Sequence, residues 1–157
     1  MLIMNGKFAS IQNICAGPTP AGALSGKKRI LLTGDTDLYL CPVNDDFIDV
    51  MGVTPDRSCI FEVIQNCDGT YTFQGYNGKY LSRIHWPGYS SYILLIKNHI
   101  DQYSKFIVAS TGTTNQISLK ADNGKFWGRV AQGNFQGVEP VKNEVNRYST
   151  FTVTVPQ

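Results

Sequence analysis

An all-β barrel built from three copies of one four-stranded unit is the architecture this chain predicts, and two observations carry it. A Phe-x-Val pair recurs at a constant interval of 45 residues, as Phe61/Val63, Phe106/Val108 and Phe151/Val153. A short polar residue stands five positions ahead of each pair, at Asp56, Asp101 and Asn146. A long fixed period marks a unit that cannot bury its apolar side alone and therefore packs on copies of itself. Short alternating runs supply four strands per copy, twelve in all. Threefold repetition of such a unit predicts a β-trefoil with pseudo-threefold symmetry, in which six strands close a barrel and six cap one end.

The elements follow in order. The first copy reads Arg29-Ile30-Leu31-Leu32-Thr33, a break at Gly34-Asp35-Thr36-Asp37, then Leu38-Tyr39-Leu40-Cys41. The second runs Tyr71-Thr72-Phe73-Gln74-Gly75 into Asn77-Gly78-Lys79-Tyr80-Leu81-Ser82-Arg83-Ile84. The third repeats this as Ile117-Ser118-Leu119-Lys120-Ala121 into Asn123-Gly124-Lys125-Phe126-Trp127-Gly128-Arg129-Val130. Asn-Gly supplies the positive φ of a tight connection, so both dipeptides predict hairpin turns. The second and third copies end alike, in Tyr-Ser-x-Phe-x-Val from Tyr103 and Tyr148. The segment from Ile100 to Phe106 has room for one helical turn. Residues 29–157 thus form a single trefoil domain, and residues 1–28 stand outside the repeat as an N-terminal extension. Within that extension Phe8-Ala9-Ser10-Ile11 reads as an added strand.

Composition fits one globular domain. At 157 residues the chain is long enough to bury roughly 70% of its unfolded surface. A net charge of +2 with scattered lysines makes no electrostatic claim on nucleic acid or membranes. No apolar stretch approaches the roughly 20 residues that span a bilayer. Residues 1–7 carry no signal-peptide core, so a cytoplasmic or nucleocytoplasmic location is expected unless the chain has already been trimmed.

Four cysteines are present. Eight residues of strand between Cys59 and Cys67 span roughly 26 Å, beyond disulfide reach. Cys41 reads as a buried thiol, and a bridge from Cys15 stays open. Four free thiols in a reducing compartment are expected, and their spacing matches no zinc-ligand pattern.

Catalysis finds little support. The two histidines, His85 and His99, sit in no nucleophile or metal motif. Asp45-Asp46 and Asp35/Asp37 read as solvated turn residues. The expectation is a protein without catalytic residues, cofactor or metal. One segment departs from this economy: His85-Trp86-Pro87-Gly88-Tyr89-Ser90-Ser91-Tyr92 places a Trp, two Tyr, a His and two Ser in one loop. Sugars present apolar C–H faces and hydroxyls together, which aromatic rings and polar side chains match. His85, Trp86, Tyr89, Ser90 and Tyr92 are therefore the candidate carbohydrate contacts. Asn134, Phe135 and Gln136, in the corresponding loop of the third copy, are weaker ones. The first copy's Asn44-Asp45-Asp46-Phe47 looks least like a platform.

The chain resembles the amaranthin-like agglutinins, plant lectins with β-trefoil domains, through Asn77-Gly78-Lys79-Tyr80-Leu81-Ser82-Arg83, Asn123-Gly124-Lys125-Phe126 and the endings at Tyr103 and Tyr148. The resemblance covers residues 29–155. It implies glycan binding without catalysis, no metal, a plant-defence role and frequent homodimers, with the sugar-contacting loop falling on residues 86–92. Galactose or N-acetylgalactosamine types and N-acetylglucosamine oligomers both fit such a loop. Two other classes stay open. The Gly-Lys-Tyr-Leu run is also similar to actin-binding trefoils of the fascin and hisactophilin kind. A protease inhibitor would act through Thr54-Pro55-Asp56-Arg57 or Thr111-Gly112-Thr113-Thr114.

Overall fold

The computed structural model describes residues 22–44, 46–88, 90–132 and 135–157. The expected strand at Phe8–Ile11, and Cys15, lie outside them. The first unit holds β1 (Arg29–Thr33), β2 (Tyr39–Pro42), β3 (Ile48–Gly52) and β4 (Phe61–Gln65). The second holds β5 (Tyr71–Gln74), β6 (Tyr80–His85), β7 (Ser91–Lys97) and β8 (Ile107–Ser110). The third holds β9 (Gln116–Lys120), β10 (Phe126–Gln132), β11 (Phe135–Lys142) and β12 (Phe151–Thr154).

The predicted division into barrel and cap is what forms. β1 pairs with β4, β4 with β5, β8 with β9, β9 with β12 and β12 with β1, all antiparallel. The remaining seam closes where Tyr71 and Phe106 exchange two backbone hydrogen bonds of 2.8 Å. Six strands thus make a closed ring, and closure removes the free edges of these barrel strands. β2–β3, β6–β7 and β10–β11 are the capping hairpins. Each is tied to its barrel strand through one residue pair, Thr33↔Tyr39, Gln74↔Tyr80 and Lys120↔Phe126.

Each polar residue ahead of a Phe-x-Val pair caps a single 3₁₀ turn. Asp56, Asp101 and Asn146 accept from the backbone N–H of Ser58, Tyr103 and Tyr148 at 2.9 Å each. A side-chain oxygen here satisfies a donor that so short a turn cannot pair internally. The predicted helical turn near Ile100 is the second of these, Gln102–Ser104. The chain then enters β4, β8 and β12 with Phe61, Phe106 and Phe151 fully buried.

Two of those rings, with Phe73 of β5, meet a single indole. Trp127 of β10 is wholly buried, and its ring centroid lies 4.8 Å from Phe106, 6.2 Å from Phe73 and 6.2 Å from Phe151. The contacts are edge-on, the arrangement that ring quadrupoles favour. Leu40 and Leu81 hold the corresponding positions of β2 and β6 and are equally buried. Ala23 and Leu24, in a 3₁₀ turn ahead of β1, also belong to the core cluster.

The Asn-Gly turns form with a refinement. Gly75 N–H donates to Lys79 O and Ala121 N–H to Lys125 O, and within each loop Gly78 (φ 81°) and Gly124 (φ 78°) alone take positive φ. Asn77 and Asn123 instead accept from the N–H of Lys79 and Lys125. In the first copy Asp37 adopts φ 62° at the glycine's place.

The cysteine expectation is overturned. Cys41 of β2 and Cys59 of the first 3₁₀ turn are disulfide-bonded across 18 residues, with Cα atoms 4.4 Å apart. Cys67 is disulfide-bonded too, and no described cysteine is free. Spacing alone excluded Cys59–Cys67 but gave no access to Cys41–Cys59, because β2 reaches the turn only once the hairpin folds over the barrel. A double Cys41→Ser, Cys59→Ser variant should lose about 3 kcal/mol of unfolding free energy, the loop-entropy value for such a span. Urea titrations of the variant and the oxidised wild type check this, and coincident midpoints would show that the bridge contributes nothing.

Candidate functional site

The tip of the β6–β7 hairpin carries the candidate residues. The hairpin register sets Ile84 opposite Tyr92 and His85 opposite Ser91, so His85, Trp86 and Tyr92 cluster at one end. Trp86 is not a packing residue of the barrel: it is 39% exposed, and its ring stacks at a tilt on Tyr92 with centroids 5.5 Å apart. Ser91 Oγ lies 3.4 Å from His85 Nδ1 and accepts from Arg83 Nη1 at 3.1 Å. Beside them an open cleft of about 460 Å³ is lined by Arg83, Ile84, His85, Lys97 and Tyr103. An aromatic pair thus adjoins a hydroxyl, an imidazole and two cations.

Ser90 is exposed in the same loop, while Tyr89 lies outside the described residues. Gln136 is not part of this cluster. It stands on β11, where its Oε1 accepts from Arg129 Nη1 at 2.6 Å. Asn134 and the Phe135 side chain lie outside the described residues. The two candidate loops, one in the second copy and one in the third, thus sit on two different hairpins. In the first copy the exposed Asn44 accepts from the N–H groups of Asp46 and Phe47 at 3.1 Å each.

The polar wall of the cleft rests on an arrangement that the sequence reading missed. Arg83 donates through Nε and Nη2 to both carboxylate oxygens of Asp122, at 2.6 and 2.9 Å. Its guanidinium also lies 5.3 Å from the centroid of the Tyr103 ring, and Lys97 Nζ lies 5.2 Å from the same ring. The third unit repeats this residue for residue. Arg129 grips Asp35 at 2.6 and 3.0 Å, with Arg129 and Lys142 at 5.3 and 5.4 Å from the Tyr148 ring. Both acids sit in hairpin turns of the next unit, so each pair ties neighbouring units together. Asp35 is therefore no solvated turn residue: its side chain is 12% exposed. The signal was present in the alignment of the copies, where Arg83 matches Arg129 and Asp122 matches Asp35.

These contacts set the local charge. The Arg129 hydrogen bonds hold the Asp35 carboxyl below its ordinary range against the opposing effect of burial. Burial would raise the Asp101 carboxyl, but the 2.9 Å bond from Lys97 and the Tyr103 N–H outweigh it and lower it. The Arg83 guanidinium is pushed further up by Asp122. Arg83 and Lys97, the cations of the wall, are each already paired with a fixed acid, Asp122 and Asp101. Among the described residues no three His, Cys, Asp or Glu side chains converge as a metal-ligand set.

An Asp35→Asn variant should lose roughly 1–3 kcal/mol of stability at neutral pH, because it strands a largely buried guanidinium. The folded carboxyl titrates below the unfolded one, so its stabilisation is complete above pH about 4 and fades as pH falls through the lowered folded value. Unfolding free energies of the two proteins, measured across pH 2–7, should converge at the acid end. Parallel curves would remove the ion pair from the account.

No protein-family model matches the chain, and no curated protein sequence matches it either. Solved structures do match. A designed threefold-symmetric protein, ThreeFoil, superposes with a TM-score of 0.68 at 12% identity, over 82% of this chain and 99% of that one. A ricin B-like lectin of Macrolepiota procera, solved with lactose, gives 0.68 at 9% identity over 88% and 99%. A salivary protein of Culex from a cysteine- and tryptophan-rich family gives 0.66 at 12% over 91% and 99%. At such identities the shared property is the fold, and this chain is a β-trefoil protein.

Proposed function

We propose that the protein binds carbohydrate without transforming it, and that the tip of the β6–β7 hairpin holds the sugar. The pair of exposed Trp86 and half-buried Tyr92 carries this reading. An aromatic face of that kind accepts the C–H side of a pyranose, while His85, Ser91 and the Arg83 guanidinium lie within the same cluster to meet its hydroxyls. The lactose-bound lectin that shares the fold supports the reading, since it displays sugar binding on this framework. Resemblance to the amaranthin-like agglutinins supports a galactose-type or N-acetylglucosamine-type ligand, with Tyr89 and Ser90 as further contacts and Asn134, Phe135 and Gln136 serving a second loop.

An open cleft of this kind holds a monosaccharide near the millimolar range, about 4 kcal/mol. Useful avidity then comes from several sites, as in a homodimer. The Cys41–Cys59 bridge removes the free-thiol argument for a reducing compartment and supports an oxidising one. The first of the two candidate inhibitory loops gains nothing, since Asp56 and Arg57 are folded into a capped 3₁₀ turn rather than extended for a protease cleft.

A Trp86→Ala variant should lose glycan binding on an array while its unfolding free energy stays within about 0.5 kcal/mol of wild type, as at other exposed positions. Unfolding of the variant would make Trp86 a packing residue, and intact binding would move the site elsewhere.

A further inference from the structure

We propose that the junction between the first and second units carries a separate ligand site, for a saccharide bearing a carboxylate or a sulfate. It follows from comparing this junction with the one between the third unit and the first. There, Arg147 lies 4.7 Å from the Tyr148 ring centroid and 3.8 Å from Asp35, the acid of the β1–β2 turn. At the first–second junction Arg57 takes the place of Arg147, heading the same capped 3₁₀ turn. Tyr76 takes the place of Asp35, one residue into the β5–β6 turn, and Ser58 takes that of Tyr148. The guanidinium is kept, and both the carboxylate and the ring that engage it elsewhere are gone.

The space left is an open groove of about 430 Å³ whose lining includes Arg29, Arg57, Glu62, Gln74 and Tyr76. Neither arginine makes an ion pair among the described residues, whereas Arg83, Arg129 and Arg147 all do. Unpaired guanidinium groups grip a carboxylate or sulfate through parallel N–H donors. Tyr76 is 52% exposed and offers a flat apolar face next to them. Gln74 donates its amide to Gly78 O and keeps its side-chain oxygen as an acceptor. Cations for the acid, a ring for the pyranose face and an amide for a hydroxyl together describe an acidic sugar rather than a bare anion. Glu62, the cross-strand partner of Arg29, is the acid that lines the groove and competes with such a ligand. The site lies apart from the β6–β7 tip and rests on its own geometry, so it stands or fails independently of the sugar site there.

The test uses the full oxidised chain, with 3′-sialyllactose, lactose and sodium sulfate as probes, read by backbone amide NMR and calorimetry. 3′-Sialyllactose is expected to shift the amides of Gly75 and Tyr76, and lactose to leave them in place. Arg57→Ala and Arg29→Gln should each weaken that binding roughly tenfold or more, the loss expected for a charge-assisted hydrogen-bonding partner. Glu62→Gln should tighten it, and Trp86→Ala should leave these shifts unchanged. The spectra report folding of every variant directly. If sulfate alone reproduced the shifts with equal affinity, the groove would hold an adventitious ion only and the proposal would fall. It would fall equally if 3′-sialyllactose left Gly75 and Tyr76 unmoved, or if its binding survived Arg57→Ala.

Discussion

Burial of Phe61, Phe106 and Phe151 about one axis is the constraint from which the rest of the molecule follows. None of the three rings can leave water within its own unit, because a four-stranded unit has only one apolar side and nothing of its own to set against it. When the units converge, the barrel strands pair edge to edge until the ring closes at Tyr71 and Phe106. Closure forces the three hairpins to one end, where Leu40, Leu81 and Trp127 reach in as plugs. Trp127 fills more of that space than either leucine, and three phenylalanines take up positions around it. The pseudo-symmetry is thereby broken at the centre, by the volume of a single side chain.

A second requirement is that each hairpin be held down on its 3₁₀ turn, and the chain meets it in two chemically different ways. In the second and third units a tyrosine on the turn is covered by an arginine and a lysine of the hairpin. In the first unit Pro42, Gly52 and Ser58 occupy those three positions, and the Cys41–Cys59 bond does the holding. The glycine is part of the exchange: a Cβ at Gly52 would lie 2.7 Å from Cys41 Sγ and 3.2 Å from Tyr39 O. A covalent link needs close approach, whereas the cation–ring stack needs room. The first copy departs from the other two in sequence because its clamp is built from other residues. The same exchange deprives its junction with the second unit of an Arg–Asp pair, which is why that surface differs from the other two.

The candidate sugar site owes its form to the tips being spared both duties. Trp86 and Tyr92 extend past the barrel and stack on each other, and the clamp behind them fixes Arg83, Lys97 and Tyr103 as a rigid polar wall. Trp86 as a surface residue was legible in its loop setting. The wall is legible only by aligning the copies, because Asp122 is 39 residues from Arg83, and Asp35 is 94 from Arg129. Acids in turns usually face solvent, and nothing local distinguishes Asp35 from Asp37. Only the fold places one of them beneath a guanidinium.

The sequence by itself determined the repeat, the four strands of each unit, the Asn-Gly turns and the aromatic tip. Each of these is written in short-range order: a period, an alternation, a turn dipeptide, a run of aromatics. The tertiary structure alone decided that Cys41 meets Cys59 and that Arg83 and Arg129 reach acids of the following unit. Those pairings are set by how three units rotate about a common axis as their phenylalanines leave water, and the distances that result between units appear nowhere in local sequence.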